Sequence, residues 1–322
     1  MKITITASLL VGALIVAAVV IVTPLWNRDS GGPSRPAAGS GTELDLGRRV
    51  ADFAEDTVAD AGFRPPNRAE RETVAAGVAL YLDGKRGEAE RRLAEVDFGV
   101  QILRDSRQGR RFAEIADRAD EDTRGWGRVY IPLDGPARFS VQVPHPVADA
   151  HSETLGAGVL RDTPGGVLVI AGAHRAAGEG NAADMAHRTD TVFHAVCAEL
   201  VARHLPGIQI HGFADSTSPG HEAVVSTGAG DRARPQAVAL ARALKTAGFR
   251  ICRAWTANCP LAGRTNKQGR LAADAGVPFI HVEFSRTVRT DPARVRDAIK
   301  AMDTAVADWR TAPDGLLSPS GA

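Results

Sequence analysis

The sequence predicts an α/β layer architecture with a largely parallel or mixed sheet, and three observations predict it. Short apolar runs resembling buried strands recur from residue 126 onward. Segments of helical length and pattern lie between several of them, the alternation expected of an α/β layer fold. Finally, 44% of the 322 residues are hydrophobic and 24% charged, the balance of a globular chain with a sizeable core.

Each element follows from a local pattern. Residues 3–27 carry no charge, with Lys2 before them and Trp26 near their end. As a helix, about 22 residues rise about 33 Å, enough to cross a hydrocarbon core of about 30 Å. The run is longer than a signal-peptide core and lacks a clean small-residue cleavage site, which predicts a signal-anchor over 1–27 with the body outside the cytoplasm; a cleaved signal peptide and a secreted body are the alternative. Residues 28–43, rich in Gly, Pro, Ser and Ala, predict a flexible linker that cannot bury enough surface to fold. A helical N-terminal region is expected over 44–124. Leu46, Val50, Phe53 and Val58 keep helical spacing until Gly62 and Pro65-Pro66 stop it. An amphipathic stretch over 70–96 breaks near Asp83-Gly84, and 100–103 with 111–115 predict a hairpin around 105–109. Strands are then expected at 129–131, 139–143, 167–171, 208–210, 223–226, 249–254 and 279–284, with helices at 189–204, 235–247 and 292–309. These fill a catalytic domain over 125–312, followed by a disordered tail, 313–322.

Composition removes several function classes. Lys plus Arg is 39 against 38 acids, so there is no basic footprint for nucleic acid. Three cysteines exclude a disulfide scaffold and a multi-cysteine zinc module. Cys252 and Cys259 could pair outside the cytoplasm, leaving Cys197 as a lone thiol with no activating base in view. Ser226 lacks the Gly-x-Ser-x-Gly setting of a nucleophile elbow.

The chemistry concentrates where the histidines do: all nine fall between His145 and His281. His145, Asp149, His151 and Glu153 lie in one stretch directly after a strand, where open α/β sheets place their sites. An imidazole and a carboxylate from one loop are half of a common zinc site; the plainer reading has Asp149 or Ser152 capping the next helix. His174 and Arg175 follow another apolar run, and the Arg175 fork suits a substrate carboxylate, or else pairs with a structural acid. Asp184 and His187 remain open candidates, while His194 reads as a packed core histidine. His211, at the end of a short run and followed by Gly212, has good placement for a third metal ligand. The polar loop 263–270, with Asn266 and Arg270, suits hydrogen bonding to a carboxylate- or amide-bearing substrate. In 279–285, His281, Glu283 and Ser285 share one strand face, and a carboxylate in so apolar a strand suits a general base. Pairing with Arg286 or Arg289 is its plainer explanation.

The order of these pieces resembles the zinc-dependent carboxypeptidase-like hydrolases, particularly N-formylglutamate amidohydrolases and poly-γ-glutamate hydrolases. The matching positions are Pro144-His145 with Asp149 or Glu153, His174-Arg175, His211-Gly212, Thr265-Asn266 and the run from Val282 to Arg286. The resemblance covers about 141–289. It implies a three-layer α/β/α fold with a mixed sheet and one Zn2+ held by His145, an acid and His211. Glu153 is preferred as the acid because a helix begins there, with Asp149 the alternative; the usual His-x-x-Glu spacing is missing. The resemblance also implies Glu283 as base toward water activated by the metal, and Arg175 or Arg270 for substrate carboxylate and transition-state charge. His174, Asn266, Arg270 and Arg289 are the candidate substrate contacts.

The expected function is therefore a membrane-anchored, extracytoplasmic zinc amidohydrolase. Its substrate would be a peptide-like or γ-glutamyl amide, cell-wall peptides included, and nucleic acid is not an expected partner. The alternative is an inactive cell-surface domain that binds a carboxylated ligand.

Overall fold

Ten strands form one mixed sheet in the computed structural model, which describes residues 41–57, 62–118 and 124–311. The strands are β1 (Thr42–Leu44), β2 (Phe98–Asp105), β3 (Arg111–Asp117), β4 (Arg128–Pro132), β5 (Phe139–Val143), β6 (Gly166–Ile170), β7 (Gly207–Phe213), β8 (Ala223–Ser226), β9 (Ile251–Arg253) and β10 (Phe279–Ser285). The helices are α1 (Leu46–Glu55), α2 (Arg68–Leu82), α3 (Arg86–Ala94), α4 (Ser152–Asp162), α5 (Val192–Ala202), α6 (Arg234–Thr246), α7 (Lys267–Asp274), α8 (Arg286–Thr290), α9 (Pro292–Ala305) and α10 (Ala307–Thr311).

The strand order is β1-β2-β3-β4-β6-β5-β7-β10-β8-β9. Its centre, β6-β5-β7-β10, is parallel, while β4 and β8 flank it antiparallel. From β5 the chain crosses to β6 on one side, and β7 then lies on the other. The order therefore reverses between β5 and β7, which opens a crevice at their carboxyl ends, the usual location of an α/β site.

Alternation within the central strands builds two unlike faces. Val141, Val143, Ile208, Ile210, Ile280, Val282 and Phe284 point into one apolar core with α1, α4, α6 and α9. A second apolar core lies under α2, α3 and α5, with Val167 and Val169 of β6. The intervening residues of β5, β7 and β10 (Ser140, Gln142, Gln209, His211, His281 and Glu283) are polar yet all buried. Burial of so many polar groups requires partners for them.

The N-terminal stretch differs from a helical appendage. The helices expected there form as α1, α2 and α3, the break at Asp83-Gly84 separating the last two, and Asn67 with Glu70 makes a capping box for α2. The expected hairpin forms as β2-β3, but β3 also pairs with β4 from Phe112–Pro132 to Ala116–Arg128. The sheet thus runs through the boundary expected near 124, because the apolar face of the hairpin completes the second core. The linker expected through 43 is shortened likewise, since Thr42–Leu44 pairs with β2 as a parallel edge strand. The apolar stretch 3–27 and the tail 313–322 lie outside the described residues. Among the described residues no helix is long and apolar enough to cross a membrane.

Candidate metal centre

The site begins in the turn that leaves β5. Pro144 to His151 form a tight loop in which the Asp149 amide donates to the His145 carbonyl at 2.9 Å, a turn that sets the two side chains side by side. Val147 and His151 adopt φ of 65° and 67°. A β-branched residue at positive φ is strained, at a cost of order 1–3 kcal/mol that surrounding contacts must hold. Arg289 supplies such contacts. Its Nε donates to the Phe284 carbonyl at 3.0 Å, Nη2 to Phe213 at 3.0 Å, and Nη1 to Ala150 of the loop. One guanidinium thus ties the loop to the ends of β7 and β10. The expectation that Arg289 contacts substrate is corrected, since its fork is spent on backbone.

This clamp needs Gly212. A Cβ there would stand 2.3 Å from Arg289 Cζ and Nε. Gly212→Ala is expected to destabilise the fold by about 2–4 kcal/mol, from overpacking plus carbonyls left unpaired. A urea midpoint within 0.5 kcal/mol of the parent, converted at constant slope, would refute the clamp.

Proton positions follow from the buried amides beneath the loop. Gln268 Nε2 donates to the Met185 carbonyl at 2.8 Å, so its Oε1 faces and accepts from Gln209 Nε2 at 3.1 Å. On the other side Gln209 Nε2 also donates to Gln142 Oε1 at 3.2 Å. Gln209 must therefore turn Oε1 toward Asn266 Nδ2, at 2.7 Å, and His211 Nε2, at 3.0 Å. An amide oxygen only accepts, so His211 donates from Nε2 and carries its lone pair on Nδ1. By the same logic His145 Nε2 donates to Asp184 Oδ1 at 2.8 Å, leaving its lone pair on Nδ1.

Both free lone pairs point at one oxygen. Asp149 Oδ2 lies 3.1 Å from His211 Nδ1 and 3.3 Å from His145 Nδ1, and all three side chains are buried. His145 Nδ1 has no hydrogen-bond partner. Three electron-pair donors converging in a buried place call for a cation, and two imidazoles with a carboxylate are a donor set for a divalent transition ion. Asp184 and Gln209 then act as the outer-shell acceptors that fix each imidazole's tautomer. The residues fit a metal.

Beside this triad stands a second group, His211, His281 and Glu283, whose ligand atoms also lie within 4.8 Å of one another. Glu283 is the register partner of His211 across β10 and β7, and its Oε1 is 3.6 Å from His281 Nε2. Burial first, and then the negative charge of Asp149, push the Glu283 carboxyl well above the usual carboxylate range. Burial and the neighbouring His211 hold His281 neutral. Neither Arg286 nor Arg289 pairs with Glu283 among the described residues, which sets aside the plain ion-pair explanation for this acid.

The other expected positions divide. The acid between the histidines is Asp149, not Glu153. The turn places Asp149 on His145, whereas Glu153 lies in the first turn of α4, outside the triad, with Oε2 unpaired and its carboxyl raised by burial. Asp149 does not cap α4 either, whose N-cap position is His151 without a side-chain cap bond. Arg175 donates to Asp184 Oδ2 at 3.1 Å, the pairing with an acid that the plainer reading expects, yet its side chain is 41% exposed and keeps donors free. His174 Nδ1 accepts from the Ala176 amide at 3.2 Å in its own turn. Asn266 is turned inward onto Gln209 and His211 rather than toward a substrate. Arg270 donates to the Arg264 carbonyl and lines a separate concavity. Gln209, Gln268 and His281 were not singled out as site residues by sequence reasoning. The available signal was polar residues alternating with apolar ones in 207–213 and 279–285. His194 is a packed histidine, as expected, accepting from Gln268, with its pKa lowered to about 4 by burial and the nearby Lys267 charge.

No protein-family model and no curated protein matches the chain. Among solved structures, zinc-free YndL aligns with TM-score 0.41 and 17% identity over 59% of this chain and 93% of its own. The CwlD amidase from Clostridioides difficile, solved with the GerS lipoprotein, gives 0.36 and 10% over 54% of this chain and 98% of its own. An aspartoacylase family protein from Mesorhizobium loti gives 0.36 and 10% over 64% and 67%. At these scores the likeness is partial, and the site is read from its own geometry.

Proposed function

We propose that this protein is a metal-dependent amidohydrolase, with zinc as its ion. The observation that carries this reading is the convergence of His145 Nδ1, His211 Nδ1 and Asp149 Oδ2 beside the buried carboxyl of Glu283. A divalent ion held by that triad supplies a Lewis acid that polarises a carbonyl and acidifies water. Glu283, raised in pKa by burial, takes the proton of the attacking water and returns it to the leaving amine. His281 stays neutral at its side. Arg175, half-exposed and steadied by Asp184, orients the carboxylate of a peptide-like or γ-glutamyl substrate through its free donors.

The placement proposed for the body is outside the cytoplasm, on a membrane anchor over 1–27. The uncharged run 3–27 supports the anchor, and the Cys252–Cys259 disulfide supports an oxidising compartment. Metal content tests the reading. About one zinc per chain is expected in the purified full-length protein, and less than a tenth of that in the His145→Ala/His211→Ala chain. If the parent, loaded with zinc and dialysed, also retains less than a tenth of an equivalent, the protein is not this kind of enzyme.

A further inference from the structure

Beyond the metal centre, the chain leaves three arginines uncompensated around one hollow. Most arginines with buried surroundings are paired: Arg49 with Glu114, Arg124 with Asp117, Arg203 with Glu199 and Asp83, Arg294 with Glu222. Arg234, Arg264 and Arg270 make no ion pair among the described residues. They line a concavity of about 370 Å³ with Thr227, Gly228 and Trp255, and none of its lining residues is acidic. Like charges gathered without a counter-charge repel one another; water screens Arg264 and Arg270, which are exposed, but an anion among the three would relieve the repulsion that remains and pair the buried Nε of Arg234.

The walls are already fixed. Ser226 Oγ donates to the Ala262 carbonyl at 2.7 Å and accepts from the Gly228 amide at 3.2 Å, while Thr227 Oγ1 donates to the Gly230 carbonyl at 2.6 Å. Arg234 lies over the Trp255 ring, 5.2 Å from its centroid, and its Nε is buried without a partner. Arg270 spends only Nε, on the Arg264 carbonyl, which leaves the two Nη groups of its fork. Arg264 makes no side-chain hydrogen bond among the described residues.

We propose that this basin is a binding site for a phosphate-class oxyanion. A single carboxylate has two oxygens and is satisfied by one guanidinium fork. Three forks brought from α6, from the 262–266 loop and from α7 suit a tetrahedral group carrying more charge and more acceptors. The 262–266 loop joins the basin to the metal centre: Gly263 packs against His281, and Asn266 Nδ2 donates to Gln209 Oε1, the same oxygen that accepts from His211 Nε2. The site itself does not depend on the hydrolase reading.

Calorimetric titration of the full chain with inorganic phosphate and with glycerol phosphate tests it, the two probes distinguishing a free ion from a phosphoryl group borne on a larger molecule. Saturable binding of either, one per chain, is expected. It should weaken at least tenfold in Arg264→Ala/Arg270→Ala and three- to fivefold in Arg264→Gln, whose side chain holds no structural bond. It should persist in His145→Ala/His211→Ala, so failure of the metal reading leaves the result intact. Absence of saturation, equal affinity in both arginine variants, competition by acetate at similar concentration, or loss only in the histidine variant would each overturn the proposal.

Discussion

Glu283→Gln is expected to lower the rate of amide hydrolysis by about 10²–10⁴-fold, the usual range for loss of a positioned acid–base group. That corresponds to about 3–5 kcal/mol of transition-state stabilisation, at 1.36 kcal/mol for each factor of ten. The substitution keeps the size of the side chain and its place in β10, so neither the sheet register with His211 nor the core behind Val282 and Phe284 is disturbed. What is lost is the ability to accept and return a proton. The metal content is the second readout. Since the triad of His145, Asp149 and His211 is complete without it, the variant should keep its zinc. A full rate with zinc bound would remove Glu283 from the mechanism. Loss of zinc together with activity would instead make Glu283 a ligand, in the group it forms with His211 and His281.

The second large effect separates the two acids that the sequence left open. Asp149→Asn is expected to weaken zinc binding by more than the about 10–100-fold that loss of an outer-shell partner costs, because it removes the charge on which both imidazole lone pairs converge. Glu153→Gln should retain about one zinc per chain. It should also be neutral or mildly stabilising, since an amide avoids the cost of burying a carboxyl whose Oε2 has no partner. Zinc stoichiometry after dialysis, measured on both chains side by side, decides it. Retention in Asp149→Asn with loss in Glu153→Gln would reverse the assignment.

How far the sequence could be read follows from what each signal depends on. Strands 129–131, 139–143, 208–210, 223–226 and 279–284 were legible because apolar runs between turn residues state burial directly, and each lies within a strand of the sheet. The hairpin of 100–103 with 111–115 was legible too, but not its destination, because pairing of β3 with β4 is a non-local choice. His145, His211 and Glu283 carried local signals: chemistry-bearing side chains at or near strand ends. The choice of Asp149 depended on the turn at Val147, whose positive φ no propensity foretells. The roles of Asn266, Arg289 and Gln209 were hidden for a related reason. Their partners lie 57, 139 and 67 positions away in the bonds to Gln209, Ala150 and Gln142, so only the folded sheet reveals that they are already occupied.

The Arg289 clamp has a consequence for the order of events during folding. The loop that presents His145 and Asp149 is strained, and the guanidinium that holds it belongs to a residue 139 positions later than Ala150. His211 likewise gains its tautomer only from Gln209, whose Oε1 is held in place by Asn266 once α7 has docked. Until β10 and α8 have added to β7, the nascent chain carries the ligands without the geometry, and its hold on any ion is that of a flexible peptide. High affinity therefore arrives last, with the final third of the chain. On the proposed metal reading, the ion bound is the one at hand in the compartment where β10 pairs with β7, so place of folding acts beside ligand chemistry in selecting it.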